Sequence, residues 1–162
     1  MKTKYSILDI TNHIINNFKD DNIRIELLEY ISYYVQCYFL VHQNKPLFDE
    51  TFKIVKTQVI QSDIRDSYRN NNIKSAVSYI KTTNNKTLFV KYDTDLIDDA
   101  DKKIIDNIAA HIIKEYKDDI VALKQHTYNT SFLKRYDKTV SATIPQIDMK
   151  AYFTEHKEEL MW

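Results

Sequence analysis

Three groups of side chains have the types and spacing to bear on chemistry. His111 and Glu115 stand one helical turn apart and so can face the same way, and Asp119 follows them. Such a set suggests a metal site, or the general acid and base of a hydrolase. Two ligands do not make a zinc site, and none of His13, His42, His111, His126 and His156 lies in an HExxH arrangement, so the pair reads as helix surface. Asp93, Asp95, Asp98, Asp99 and Asp101 suggest calcium. An EF-hand loop counted from Asp93, however, needs glycine where Asp98 stands and glutamate where Ile104 stands. These aspartates read instead as a solvated loop and an acid-rich helix start. Cys37, the single cysteine, sits among Val35, Tyr38 and Phe39 and reads as a small apolar filler, not a nucleophile.

Composition closes further routes. The chain of 162 residues contains no glycine. A Walker loop, a dinucleotide-binding glycine fingerprint and a nucleophile elbow are therefore excluded in their usual forms, since each needs backbone that only glycine supplies cheaply. The expectation is a binding protein, not an enzyme, with no catalytic residues, no metal and no cofactor. The 23 basic and 23 acidic side chains balance, which argues against a phosphate-tracking nucleic-acid binder. The balance hides an asymmetry: residues 1–92 carry 13 basic and 9 acidic side chains, residues 93–162 carry 10 and 14. One cysteine rules out an internal disulfide and points to a reducing compartment. The N-terminal stretch, broken by Asp9, Asn12 and His13, lacks a signal peptide's apolar core, and no run approaches the ~18–20 apolar residues that span a bilayer. A cytoplasmic protein without membrane contact is expected; the oligomeric state is left open.

The elements that would position these residues follow from periodicity. Ser6 and Asp9 form a capping box ahead of Ile7, Ile10, Ile14 and Phe18, which predicts a first helix over 7–18. Leu27, Ile31, Tyr34, Tyr38 and Val41 make the stripe of a second helix, widened by Leu28, Val35 and Phe39 and stopped by Asn44 and Pro46. Alternation over 51–57 and 88–92 predicts two strands that pair as a small ribbon. Two short helices are expected between them, one opened by Ser62 and one carrying Ile73, Val77 and Ile80. A long helix is predicted over 98–116, then one capped by Asp119, a short one at Ser131, and a terminal one over 148–160. No linker or repeat interrupts the chain, so residues 1–162 read as a single compact helical domain, mainly α, with a short two-stranded β element.

Tyr30, Tyr33, Tyr34 and Tyr38 cover more than one face of the second helix. Some of them therefore point away from the main core, either as a protein-binding surface or packed against neighbouring helices.

Residues 6–50 resemble the Panacea antitoxin domain, a phage-associated family that includes SocA-like antitoxins. Its hallmark run has the form Leu-x-Lys-Leu-Leu-Tyr-Phe-Ala-Gln-Gly-Tyr-Tyr-Leu, followed by a turn containing Gly-Lys-Pro-Leu-Phe. Leu28, Tyr33, Gln36, Tyr38, Leu40, Lys45, Pro46, Leu47 and Phe48 match it directly, and Ile31, Tyr34 and Phe39 are conservative substitutes. Tyr30 replaces a lysine, Ser32 a leucine, Cys37 a glycine and Asn44 the turn glycine. The family's Trp-x-x-Gly-Pro-Val segment is replaced by Val55-Lys56-Thr57-Gln58-Val59-Ile60. Farther on, 105–116, 123–132 and 147–153 resemble the later helices of the family more weakly. The resemblance implies a mostly helical protein that neutralises a cognate toxin by direct binding, with SocA-like members also acting as adaptors for toxin degradation. The alternative is a phage or mobile-element structural or regulatory protein that retains the fold without a toxin partner.

Overall fold

A computed structural model describes residues 3–21, 23–69, 79–83, 86–90, 96–136 and 141–160, with 68–69, 79–83, 86–90 and Ser131 described by backbone alone. Among the described residues run seven α-helices: α1 (Ile7–Asn17), α2 (Ile25–His42), α3 (Ser62–Arg69), α4 (Asp99–Tyr116), α5 (Ile120–Tyr128), α6 (Ser131–Lys134) and α7 (Gln146–Glu155). Five strands accompany them: β1 (Phe52–Val55), β2 (Gln58–Ile60), β3 (Tyr79–Thr83), β4 (Lys86–Val90) and β5 (Ser141–Ile144). The fold is mainly α. α1 opens on the expected capping box, in which the Asp9 amide donates to the Ser6 hydroxyl (3.2 Å) and the Ser6 amide to the Asp9 carboxylate (2.9 Å). Asp98 stands at the N-cap of α4, and the Asp119 carboxylate caps α5 by accepting from the Ala122 amide at 3.0 Å. The last helix starts and stops earlier than predicted, at Gln146 and Glu155, because Pro145 takes the N-cap position; a 3-10 turn, Lys157–Glu159, follows it.

Helix α2 is the axis of the molecule. It packs against α1, α3, α4, α5, α7 and β2, and every residue from Leu27 to Cys37 is buried, including Glu29, Ser32 and Gln36. A helix enclosed on all sides has no solvent face to reward amphipathic patterning. Its own polar side chains must then be satisfied within the core, as Ser32 is by donating to the Leu28 carbonyl at 2.8 Å. α4 has the same length but buries one face only, Ile105, Ile108, Ala109, Ile112 and Ile113.

The β structure departs from the ribbon predicted from sequence. Phe52–Val55 does not pair with 88–92. It is the centre of a three-stranded antiparallel sheet ordered β2-β1-β5, with Val55 opposite Gln58 on one side and Phe52 opposite Ile144 on the other. Local closure explains this outcome: a two-residue turn, Lys56-Thr57, costs far less chain entropy than a pairing across more than thirty residues. Lys86–Val90 pairs instead with Tyr79–Thr83 in a separate hairpin, so Ile80 lies in a strand where a helix was expected. Ile73, Val77 and Tyr92 fall outside the described residues. The β5 strand was not predicted; its Ile144 is fully buried beside β1.

Candidate functional site

The four tyrosines do not form a surface. Tyr30, Tyr33 and Tyr34 are each about 1% exposed, and only Tyr38 is partly accessible. Because α2 is surrounded, side chains that leave one face of it enter another part of the core. Each ring ties α2 to a different neighbour. The Val59 amide of β2 donates to the Tyr30 hydroxyl (3.1 Å), and the Tyr34 hydroxyl shares a 2.7 Å hydrogen bond with the Thr127 hydroxyl of α5. Tyr33 packs edge-on against Tyr34 (5.3 Å between ring centres) and against Phe52 of β1 (5.5 Å). Burial pushes the Tyr30 phenol up to about 12 and those of Tyr33 and Tyr34 well above the ordinary tyrosine value.

Leu28, Gln36, Leu40, Leu47 and Phe48 are likewise buried, whereas Lys45 is exposed and Pro46 half-buried. Their arrangement gives the Lys45–Phe48 bend a cause. α2 ends where Asn44 adopts a left-handed conformation (φ 57°), which lets the Lys45 amide return to the Phe39 carbonyl at 3.3 Å. Glycine is the usual residue there, and asparagine is the next best tolerated. The Gln36 carboxamide then clasps the chain beyond: its oxygen accepts from the Leu47 amide (2.9 Å) and its nitrogen donates to the Phe48 carbonyl (2.8 Å). Gln146, at the start of α7, donates to the same carbonyl at 3.1 Å, so α2, the bend and the last helix meet at one point.

Where α2 emerges beside α4, an apolar groove of about 240 Å³ opens, lined by Tyr38, Ile104, Asn107, Ile108, His111 and Ile112. Isoleucines at 104, 108 and 112 succeed one another at one-turn spacing along it. The Tyr38 ring lies 4.5 Å from that of His42 at the end of α2. Partial burial, with the Lys157 charge nearby, lowers the His42 pKa below its ordinary value. This groove is the candidate contact surface, and it is lined by the one tyrosine of the four that solvent reaches.

Two polar links escaped sequence reasoning. Glu29, fully buried in α2, accepts from the Gln61 amide (2.5 Å) and from Arg65 Nε of α3 (3.0 and 3.1 Å). Burial raises the Glu29 pKa, with Arg65 and the Gln61 amide opposing the rise. His13 Nε2 lies 2.7 Å from Asp106 Oδ1, joining α1 to α4. The available signal was a lone charge within the apolar run 27–41, which calls for a partner elsewhere in the chain.

The remaining sequence candidates are dispersed. His111, Glu115 and Asp119 are exposed, and the Asp119 carboxylate is engaged as a helix cap. Asp98 pairs with Lys4 at 2.8 Å, which lowers its pKa, while Asp101 accepts from the Tyr5 hydroxyl at 3.1 Å. Asp93 and Asp95 lie outside the described residues. Burial pushes the Cys37 thiol well above its ordinary value, which keeps it protonated. Among the described residues, no group of three or more His, Cys, Asp or Glu is placed to hold a metal ion, and no helix is long and apolar enough to cross a membrane. No family model, curated protein or solved structure matches the chain.

Proposed function

We propose that this chain is an antitoxin-like protein-binding module of the Panacea type, which neutralises a cognate toxin by direct binding. The observation that carries the reading is the Gln36 clasp on Leu47 and Phe48. It joins the two halves of the resembled motif, helix and turn, into one unit, and Asn44 takes up the left-handed conformation at the motif's glycine position. The α2–α4 groove supplies apolar area to desolvate on binding, with Tyr38 as an aromatic contact.

Co-expression with the product of the adjacent gene tests the proposal. The two proteins should copurify, and a host carrying the neighbour should lose viability when this chain is removed. Asn107→Arg, at an exposed position lining the groove, should abolish copurification while leaving the melting temperature within a degree or two, as for most surface substitutions. No complex and no rescue would reject neutralisation. Self-association without a heterologous partner would favour the alternative of a phage or mobile-element structural or regulatory protein.

A further inference from the structure

Residues 67–92 contain no aspartate or glutamate and five cations, Arg69, Lys74, Lys81, Lys86 and Lys91, so the rest of the chain holds 18 basic against 23 acidic residues. Within this stretch the backbone forms the β3–β4 hairpin, a sheet of its own, separate from β2-β1-β5, whose described neighbour is α3. The antiparallel register sets Lys81 opposite Leu88 and Thr83 opposite Lys86, which brings the two strand lysines to adjacent same-face positions of the ladder. Asn84-Asn85 separate the strands in sequence; Thr83 shares the lysine face, whereas Thr82 and Thr87 pair with each other at positions of the opposite face.

A two-stranded hairpin is marginally stable by itself, so it benefits from a partner that orders it. A β-ribbon has the width to enter the major groove of a duplex, and lysine, threonine and asparagine are residue types that bond phosphate oxygens. We infer that the β3–β4 hairpin is an arm that binds the phosphate backbone of duplex nucleic acid, a role separate from protein binding at the α2–α4 groove. The neutrality of the whole chain, which argues against such binding, averages a segment of charge +5 with a remainder of charge −5. The acidic remainder repels a polyanion, confining contact to the arm and making it strongly dependent on salt.

Fluorescence anisotropy of the full chain with a labelled double-stranded DNA of mixed sequence, over a series of salt concentrations, tests this. Binding should appear at low salt and weaken linearly on a log–log plot. The pair Lys81→Ala, Lys86→Ala should weaken it by about tenfold or more and reduce the salt slope by about two, one for each phosphate that is no longer neutralised. The pair Lys103→Ala, Lys114→Ala, on the exposed side of α4, should leave both unchanged, and thermal melts of both double variants should overlay the parent. No binding at low salt would overturn the inference, as would equal weakening by the α4 pair. Binding to polyglutamate as tight as to DNA would overturn it in favour of an acidic protein partner.

Discussion

Helices α2 and α4 are both 18 residues long, yet 13 residues of α2 are buried against five of α4. α2 is a core element whose Glu29, Tyr30, Ser32, Tyr34 and Gln36 side chains are all hydrogen-bonded within the core. α4 is an amphipathic wall with one face left to solvent, and an apolar groove opens along it beside Tyr38. The contrast separates two kinds of residue that look alike in sequence. Tyrosine, glutamate and glutamine on α2 are structural ties, whereas the exposed positions of α4 are free to serve a partner. Substitutions on the two helices should therefore act on different observables: stability for α2, association for the outer face of α4.

The largest expected effect tests the α2 side. Arg65→Ala strands the Glu29 carboxylate in the core and should cost ~3–5 kcal/mol at neutral pH in urea denaturation, the usual loss on breaking a buried pair. The pH dependence has a definite sign. Glu29 holds its proton more tightly in the folded state than its ordinary value of 4.5, so its contribution to stability is full below that value and is lost as pH rises through the folded-state pKa. Removing Arg65 moves that pKa higher, so the penalty should shrink as the solution is acidified towards 4.5. A penalty independent of pH would show that Arg65 acts through packing alone.

Gln36→Ala comes next. It leaves the buried Leu47 amide without its acceptor, while Phe48 retains the Gln146 donor, so a loss of ~2–3 kcal/mol is expected. The neighbouring tyrosines sharpen the comparison further. Tyr30→Phe and Tyr34→Phe each remove the partner of a buried polar group and should cost ~1–2 kcal/mol. Tyr33→Phe should be nearly neutral, because the Tyr33 hydroxyl is buried with only the weak Cys37 thiol beside it. Negligible costs for all three would mean that ring packing, not hydrogen bonding, fixes these side chains.

The reach of sequence reasoning follows the same division. α1, α4 and α5 were legible because their apolar residues recur at helical spacing, with a side-chain cap ahead of α1 and α5, as Ser6 and Asp119 show. α2 was legible as a helix, but not as one surrounded on every side. Its tyrosines looked like excess aromatic surface because the elements that cover them, β1, β2 and α5, come later in the chain. The strand partners of β1 were hidden for a different reason: β5 is four residues long and joins from nearly ninety residues away, which no local pattern announces. The α2–α4 groove was equally hidden, since Tyr38 and Ile108 share no sequence neighbourhood. Of its lining, sequence singles out Tyr38, as part of a cluster of which three members are buried, and His111, as half of a metal or acid–base pair.

The smallest effect bears on the absence of glycine. Among the described residues, two occupy the left-handed region, Asn44 (φ 57°) at the end of α2 and Lys56 (φ 58°) in the β1–β2 turn. For a residue with a Cβ this conformation costs roughly 1–2 kcal/mol, which asparagine's short polar side chain reduces. Glycine removes that cost but surrenders ~0.5–1 kcal/mol of unfolded-chain entropy. Lys56→Gly should therefore stabilise the protein by ~0.5–1 kcal/mol, whereas Asn44→Gly should change little; both are measurable as shifts in urea midpoint at constant slope. Lys56 is exposed and anchors nothing in the core, so a gain there isolates backbone strain from packing. If Lys56→Gly destabilises the protein, the turn must be held by an interaction of the lysine side chain, and the β1–β2 hairpin would then owe its register to that interaction instead of to the shortness of its loop.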